Sequence, residues 1–191
     1  MMKPIVVALG LAAVWSIAPS AWQAKPAPAR AVAPAAATLV LDTAKGMIEV
    51  ELFTADAPKS TAHLIDLATK GFYRGLRFHR VEASLVQVGD PQSRNVAMEA
   101  YWGTVSNGTP VGVAEISRKH THVRGAVGMA YAGGDARYAD SQFYIMKTVS
   151  PSLDGKYAVV GRVVAGMDVV DKLQKRDVLK NVTLKTGAAP K

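Results

Sequence analysis

In the stretch Met47-Ile48-Glu49-Val50-Glu51-Leu52, Ile48, Val50 and Leu52 fall on alternate positions with acids between them. That period of two gives a strand one buried and one solvated face, and no helix can gather it onto one side. The run before it, residues 39–43, is joined to it by Ala44-Lys45-Gly46, so the pair reads as a hairpin around a short glycine-containing turn. Similar short apolar runs follow at residues 77–81, 85–88, 113–116, 126–130, 142–146, 158–164 and 181–185. Helical period is confined to two places. One helix opens at Asp56-Ala57-Pro58, with Asp suited to the N-cap region and Pro to the first turn. It carries Ala62, Leu64, Ile65 and Ala68 as an apolar stripe and stops at Gly71. The other covers residues 167–174, with Val169, Val170 and Leu173 facing in. Many short strands with two distant helices do not make repeated βαβ units. They imply a closed or nearly closed antiparallel sheet with helical caps.

The first 37 residues are of a different kind. Lys3 precedes an apolar run over residues 5–18, and Ala18-Pro19-Ser20 offers small residues for cleavage. The run falls short of the roughly 20 residues that cross a bilayer. This is the layout of a secretory signal peptide, which predicts a periplasmic or secreted protein with no stable membrane span after signal removal. Residues 25–37 alternate proline and alanine and cannot bury a core, so they read as a linker. The expected organisation is a signal peptide at 1–24, a linker at 25–37, one folded domain at 38–186 and a flexible tail at 187–191. The chain has no cysteine, which removes disulfides, thiolate nucleophiles and a lipidated N-terminus. Its net charge of +8 comes from scattered residues, with Lys3, Lys25 and Arg30 contributing from an acid-free stretch. No basic cluster with interleaved aromatics points to nucleic acid.

Motifs for phosphate loops, serine hydrolases, zinc proteases and dinucleotide binding are absent from the sequence. His120-Thr121-His122 is a possible metal pair, but with no third ligand it reads as a solvated loop, and neither a metal nor a cofactor is expected. Three segments stand out instead. The first is Gly71-Phe72-Tyr73-Arg74-Gly75-Leu76-Arg77-Phe78-His79-Arg80-Val81. The second runs from Gly125-Ala126-Val127-Gly128-Met129-Ala130 to Asp140-Ser141-Gln142-Phe143-Tyr144-Ile145. The third joins Leu153-Asp154-Gly155-Lys156-Tyr157 to Val160-Gly161-Arg162-Val163-Val164-Ala165-Gly166-Met167-Asp168.

In order, spacing and identity these segments resemble the cyclophilins, over roughly residues 38–185. The resemblance implies a mainly β fold, a closed eight-stranded antiparallel β-barrel capped by two α-helices. It implies peptidyl-prolyl cis-trans isomerase activity on proline-containing polypeptides by a monomer. The alternative is a proline-segment-binding chaperone with weak or no turnover. By the same resemblance Arg80 and Gln142 are the catalytic residues. Leu85, Gln87, Met129, Ala130, Tyr131, Tyr144, Leu153 and Tyr157 bind the client. Phe78, Phe143 and Ile145 belong to the core, and His79 is a structural hydrogen-bonding residue.

The sequence also departs from the family. The stretch Val81-Glu82-Ala83-Ser84-Leu85-Val86-Gln87 is one residue short of the usual pattern, so either Leu85 or Ser84 takes the place of a pocket phenylalanine. A one-residue slip exchanges the faces of a strand. Tyr131 stands for the usual asparagine, Tyr144 for the second pocket phenylalanine, Ser152 for a frequent tryptophan and Tyr157 for the usual histidine.

Overall fold

The computed structural model describes residues 37–186. The proposed signal peptide, almost all of the linker and the tail lie outside the described residues. The hairpin forms as its period demands: β1 (Ala37–Thr43) pairs with β2 (Gly46–Leu52) in the register Leu41↔Ile48 and Leu39↔Val50. The turn is locked by Thr43, whose hydroxyl donates to the Gly46 carbonyl at 2.7 Å and accepts from the Lys45 amide at 3.1 Å. Leu39, Leu41, Ile48, Val50 and Leu52 all face the main core.

Helix α1 (Pro58–Thr69) starts with proline in its first turn, as expected. Asp56 does not cap it, because its carboxylate is taken by Lys119 and His120 at 2.7 and 2.9 Å. The free amides of Lys59 and Ser60 are met instead by the Glu115 carboxylate, at 2.9 and 2.7 Å. Orphan amides in a first turn need such an acceptor. This explains why residues 113–116 are not the strand their sequence suggested: they form a loop that carries Glu115 across to α1. The buried stripe of α1 is Ser60, Thr61, Leu64, Leu67 and Ala68, leaving Ala62 outside.

The remaining strands are β3 (Leu76–Arg77), β4 (Arg80–Val81), β5 (Leu85–Val88), β6 (Ala126–Met129), β7 (Phe143–Met146), β8 (Val159–Ala165) and β9 (Val178–Thr186). A short helix α2 (Met167–Lys172) buries Val169 and Val170. One antiparallel sheet results, in the order β3-β9-β1-β2-β8-β6-β7-β5-β4. Strand β1, the first in chain order, pairs with β9, from Ala37↔Thr186 to Thr43↔Leu179.

The expectation of a closed eight-stranded barrel capped by two α-helices is therefore corrected. The sheet has nine strands and curls without closing, because its end strands β3 and β4 do not pair with each other. Among the described residues four 3₁₀ helices accompany the α-helices. The reason lies in the segment joining β3 to β4. The Phe78 amide donates to the Asp177 carbonyl beyond β3, and the next amide, His79, donates to Gln87 on β5. The chain changes partners within two residues, so no ladder forms between the two ends.

Candidate active site

Strands β5, β6 and β7 are buried on both faces. Because side chains alternate along a strand, Val86, Val88, Val127, Met129, Phe143 and Ile145 join the main core. Leu85, Ala126, Tyr144 and Met146 form a second, smaller cluster with Val159, and Ala130, Leu153 and Tyr157 pack against it. The site stands on this second face.

Strand register assembles the site. Arg80 on β4 lies opposite Gln87 on β5, Gln87 opposite Tyr144 on β7, and Tyr144 opposite Gly128 on β6. Facing residues of an antiparallel pair project to the same side. Gly128 leaves the space that the Tyr144 ring occupies, since a Cβ there would collide with Tyr144 Cζ and Oη. Arg80, Leu85, Gln87, Ala130, Tyr131, Tyr144, Leu153 and Tyr157 line a cavity of about 240 Å³. Of Leu85 and Ser84, Leu85 lines the cavity, while the Ser84 carbonyl receives the Lys147 amide at 2.7 Å. The Tyr131 and Tyr157 rings lie tilted at 34° with centroids 4.7 Å apart, and the Tyr131 hydroxyl donates to the Lys156 carbonyl at 2.8 Å.

Two expected residues do not line this cavity itself. Met129 is on the inner face with Val127, in the core, one residue out of phase with the cavity. Gln142 stands behind Gln87 and lines an adjoining space of about 80 Å³ bounded also by Gly103, Thr104 and Ser106.

A polar chain runs through the site. Gln142 Nε2 donates to the carbonyls of Gly103 and Val105 at 3.2 and 2.9 Å, and its Oε1 accepts from Gln87 Nε2 at 2.8 Å. Gln87 Oε1 then faces Arg80 Nη1 at 3.4 Å. On the solvent side Arg80 donates through Nε and Nη2 to the two Glu82 oxygens, at 2.7 and 3.1 Å. The guanidinium beside Glu82 holds its carboxyl below the usual range. His79 is buried beneath, and neither ring nitrogen has a hydrogen-bond partner among the described residues, contrary to its expected role. Burial pushes its imidazole down to about 4, against a smaller opposing pull from Asp90. No group in the cavity is placed as an acid–base pair. The arrangement offers a hollow of mixed aliphatic, aromatic and polar lining, a permanent cation at its rim and amide groups of fixed orientation.

Sequence reasoning gave no site role to Glu82, Gly128 or His122. His122 lies not in a solvated loop but buried between Asp154 and the Tyr144 hydroxyl. The available signal was the tyrosine at 144, since a buried phenol needs a partner.

A family model described as cyclophilin type peptidyl-prolyl cis-trans isomerase/CLD matches residues 38–188. A peptidyl-prolyl cis-trans isomerase of Helicobacter pylori is 35% identical over 150 residues, 77% of this chain and 86% of that one. A probable peptidyl-prolyl cis-trans isomerase of Brucella suis is 40% identical over 152 residues, 78% and 76% of the two chains. The crystal structure of a cyclophilin-type isomerase from Cryptosporidium parvum shares the fold, with a TM-score of 0.67 at 23% identity over 79% of this chain and 98% of that one. Family model, relatives and strand arrangement agree, and the chain belongs to the cyclophilin-type peptidyl-prolyl cis-trans isomerases.

Proposed function

We infer that the protein accelerates cis-trans isomerisation of X-Pro peptide bonds in folding polypeptides, by binding the twisted amide without covalent chemistry. The observation that carries this reading is the row Arg80, Gln87, Tyr144 across one edge of a cavity that Leu85, Leu153 and Tyr157 also line. Rotation about an amide is opposed by about 18–20 kcal/mol, and uncatalysed X-Pro exchange takes tens to hundreds of seconds. No bond has to break. A site that holds the twisted amide more tightly than either planar isomer is sufficient.

Each residue then has a physical task. Leu85, Tyr144, Leu153 and Tyr157 receive the prolyl ring and exclude water, which strengthens every polar contact in the hollow. Arg80 donates to the carbonyl oxygen preceding the proline or lies near the prolyl nitrogen as conjugation is lost, and its charge is permanent. Gln87 holds a client backbone group, and Ala130 and Tyr131 meet the backbone on the N-terminal side. Gln142 fixes Gln87 from behind, and Met129 supports the strand from the core. The test is a protease-coupled assay on an Ala-Pro peptide with wild type and Arg80→Ala. A wild-type rate no higher than background overturns catalysis.

The bidentate pairing of Arg80 with Glu82 favours a second reading, client binding with feeble turnover. An arginine already held by its own chain must change partners to serve the amide. Prolyl peptides that bind without exchange broadening of their cis and trans NMR signals would decide for it.

We also propose that the protein is exported and acts as a monomer. The support for export is Lys3 with the apolar residues 5–18. No helix among the described residues is long and apolar enough to cross a membrane. A recovered N-terminus near residue 25 and a sedimentation mass of one chain support this proposal. Retained Met1 or a dimer mass overturns the corresponding half.

A further inference from the structure

The imidazole of His122 is closed off from solvent and engaged at both nitrogens. Nδ1 lies 2.7 Å from Asp154 Oδ1, and Nε2 lies 2.8 Å from the Tyr144 hydroxyl. The backbone of His122 makes its own ties, with its amide donating to Asp154 Oδ1 at 2.8 Å and its carbonyl accepting from the Ser150 amide at 2.8 Å. Bonds from the His122 ring and amide hold the Asp154 carboxyl below its usual range, so it is an ionised acceptor. Nδ1 therefore carries the proton, and in the neutral ring Nε2 accepts from the Tyr144 hydroxyl. Burial pushes the Tyr144 phenol up, so that proton stays in place to be donated. Opposite the ring, Gly128 supplies the clearance, and on the cavity side the Tyr157 ring meets Tyr144 edge-on at 6.0 Å. Tyr144 is held at its tip and seated on both sides.

We propose that His122 is a positioning residue of the pocket: oriented by Asp154, it fixes the Tyr144 ring as a wall of the proline cavity, so affinity for the prolyl ring depends on a side chain that never touches the client. This rests on the isomerase reading and adds to it a device outside the cavity lining. Its substitution is separable from the surrounding loop, because His122→Leu keeps the backbone ties to Asp154 and Ser150.

The experiment is a double-mutant cycle of His122→Leu, Tyr144→Phe and both, read as KM for an Ala-Pro peptide. His122→Leu alone should raise KM about fivefold with kcat nearly unchanged, and by less than about twofold when Tyr144→Phe has already removed the hydroxyl. An equal factor in both backgrounds, or no change in either, overturns the proposal. Wild-type turnover tests the isomerase reading itself. Without turnover that reading fails, and the proposal is still decided by NMR of the Tyr144 ring, whose flipping should quicken in His122→Leu; unchanged flipping overturns it. Where the leucine variant does not fold, His122→Gln keeps a polar group in the buried position and enters the same cycle.

Discussion

The two faces of β5, β6 and β7 are built alike and do different work. The inner face, with Val86, Val88, Val127, Met129, Phe143 and Ile145, merges into a core that reaches both helices. The outer face carries a cluster of five buried residues, and the cavity opens upon it. Both are buried and both carry apolar clusters, the outer one with Gln87 and the Tyr144 hydroxyl added, so burial does not tell them apart. What separates them is completion. The inner face is packed by the rest of the sheet, and the outer face is left open at the cavity, where the proposed function seats a prolyl ring. A step of one residue along a strand passes from stability to recognition.

That contrast can be broken most severely at Arg80, on the outer side and about half exposed. Arg80→Ala should lower kcat/KM by about 10²- to 10³-fold, the scale for loss of a donor aimed at a reacting carbonyl. Its urea midpoint should correspond to a change within about 0.5 kcal/mol. Ile145→Ala attacks the inner face and should do the reverse. The cavity it leaves should cost about 3 kcal/mol of stability by urea unfolding, while folded protein keeps kcat/KM within about twofold.

His79 is next in size and belongs to neither lining. Its folded pKa of about 4 lies below its unfolded value, so between about pH 6.5 and 4 the unfolded chain binds a proton that the folded one refuses. Stability is complete above that window and falls as pH drops through it, by up to about 3 kcal/mol. Urea midpoints taken from pH 7 to 4 should show this excess loss in wild type and not in His79→Gln. The smallest effect is expected at Glu82, which is nearly half exposed. Glu82→Gln should change stability by less than about 0.5 kcal/mol, since exposed ion pairs contribute little. It should raise kcat/KM about twofold by freeing the Arg80 fork. A fall would show that Glu82 orients the arginine for catalysis.

The legible parts of the sequence were the local ones. The hairpin of β1 and β2 follows from residues adjacent in the chain, and the motifs around Arg80 and Tyr144 carried most of the cavity lining with them. Phase was harder: Met129 and Gly128 are neighbours, and only the register with Tyr144 settles which faces the cavity. His122 was hidden because its burial depends on Asp154, 32 positions away. Residues 113–116 misled for a similar reason, since Val113 and Ile116 have strand character while Glu115 answers a helix 55 positions earlier. The open sheet was unreadable because it turns on two strands of two residues each.

The pairing of β1 with β9 has a consequence for the protein's own assembly. Chains are made from the N-terminus, and contacts between distant residues form slowly because loop closure must precede them. From Ala37↔Thr186 onward, β1 has one of its two neighbours only after the last strand has left the ribosome. Until then its outer edge stands open. A catalyst for a slow step in other proteins' folding thus cannot finish its own sheet until β9 has emerged, and its native state waits for the last residues of the domain.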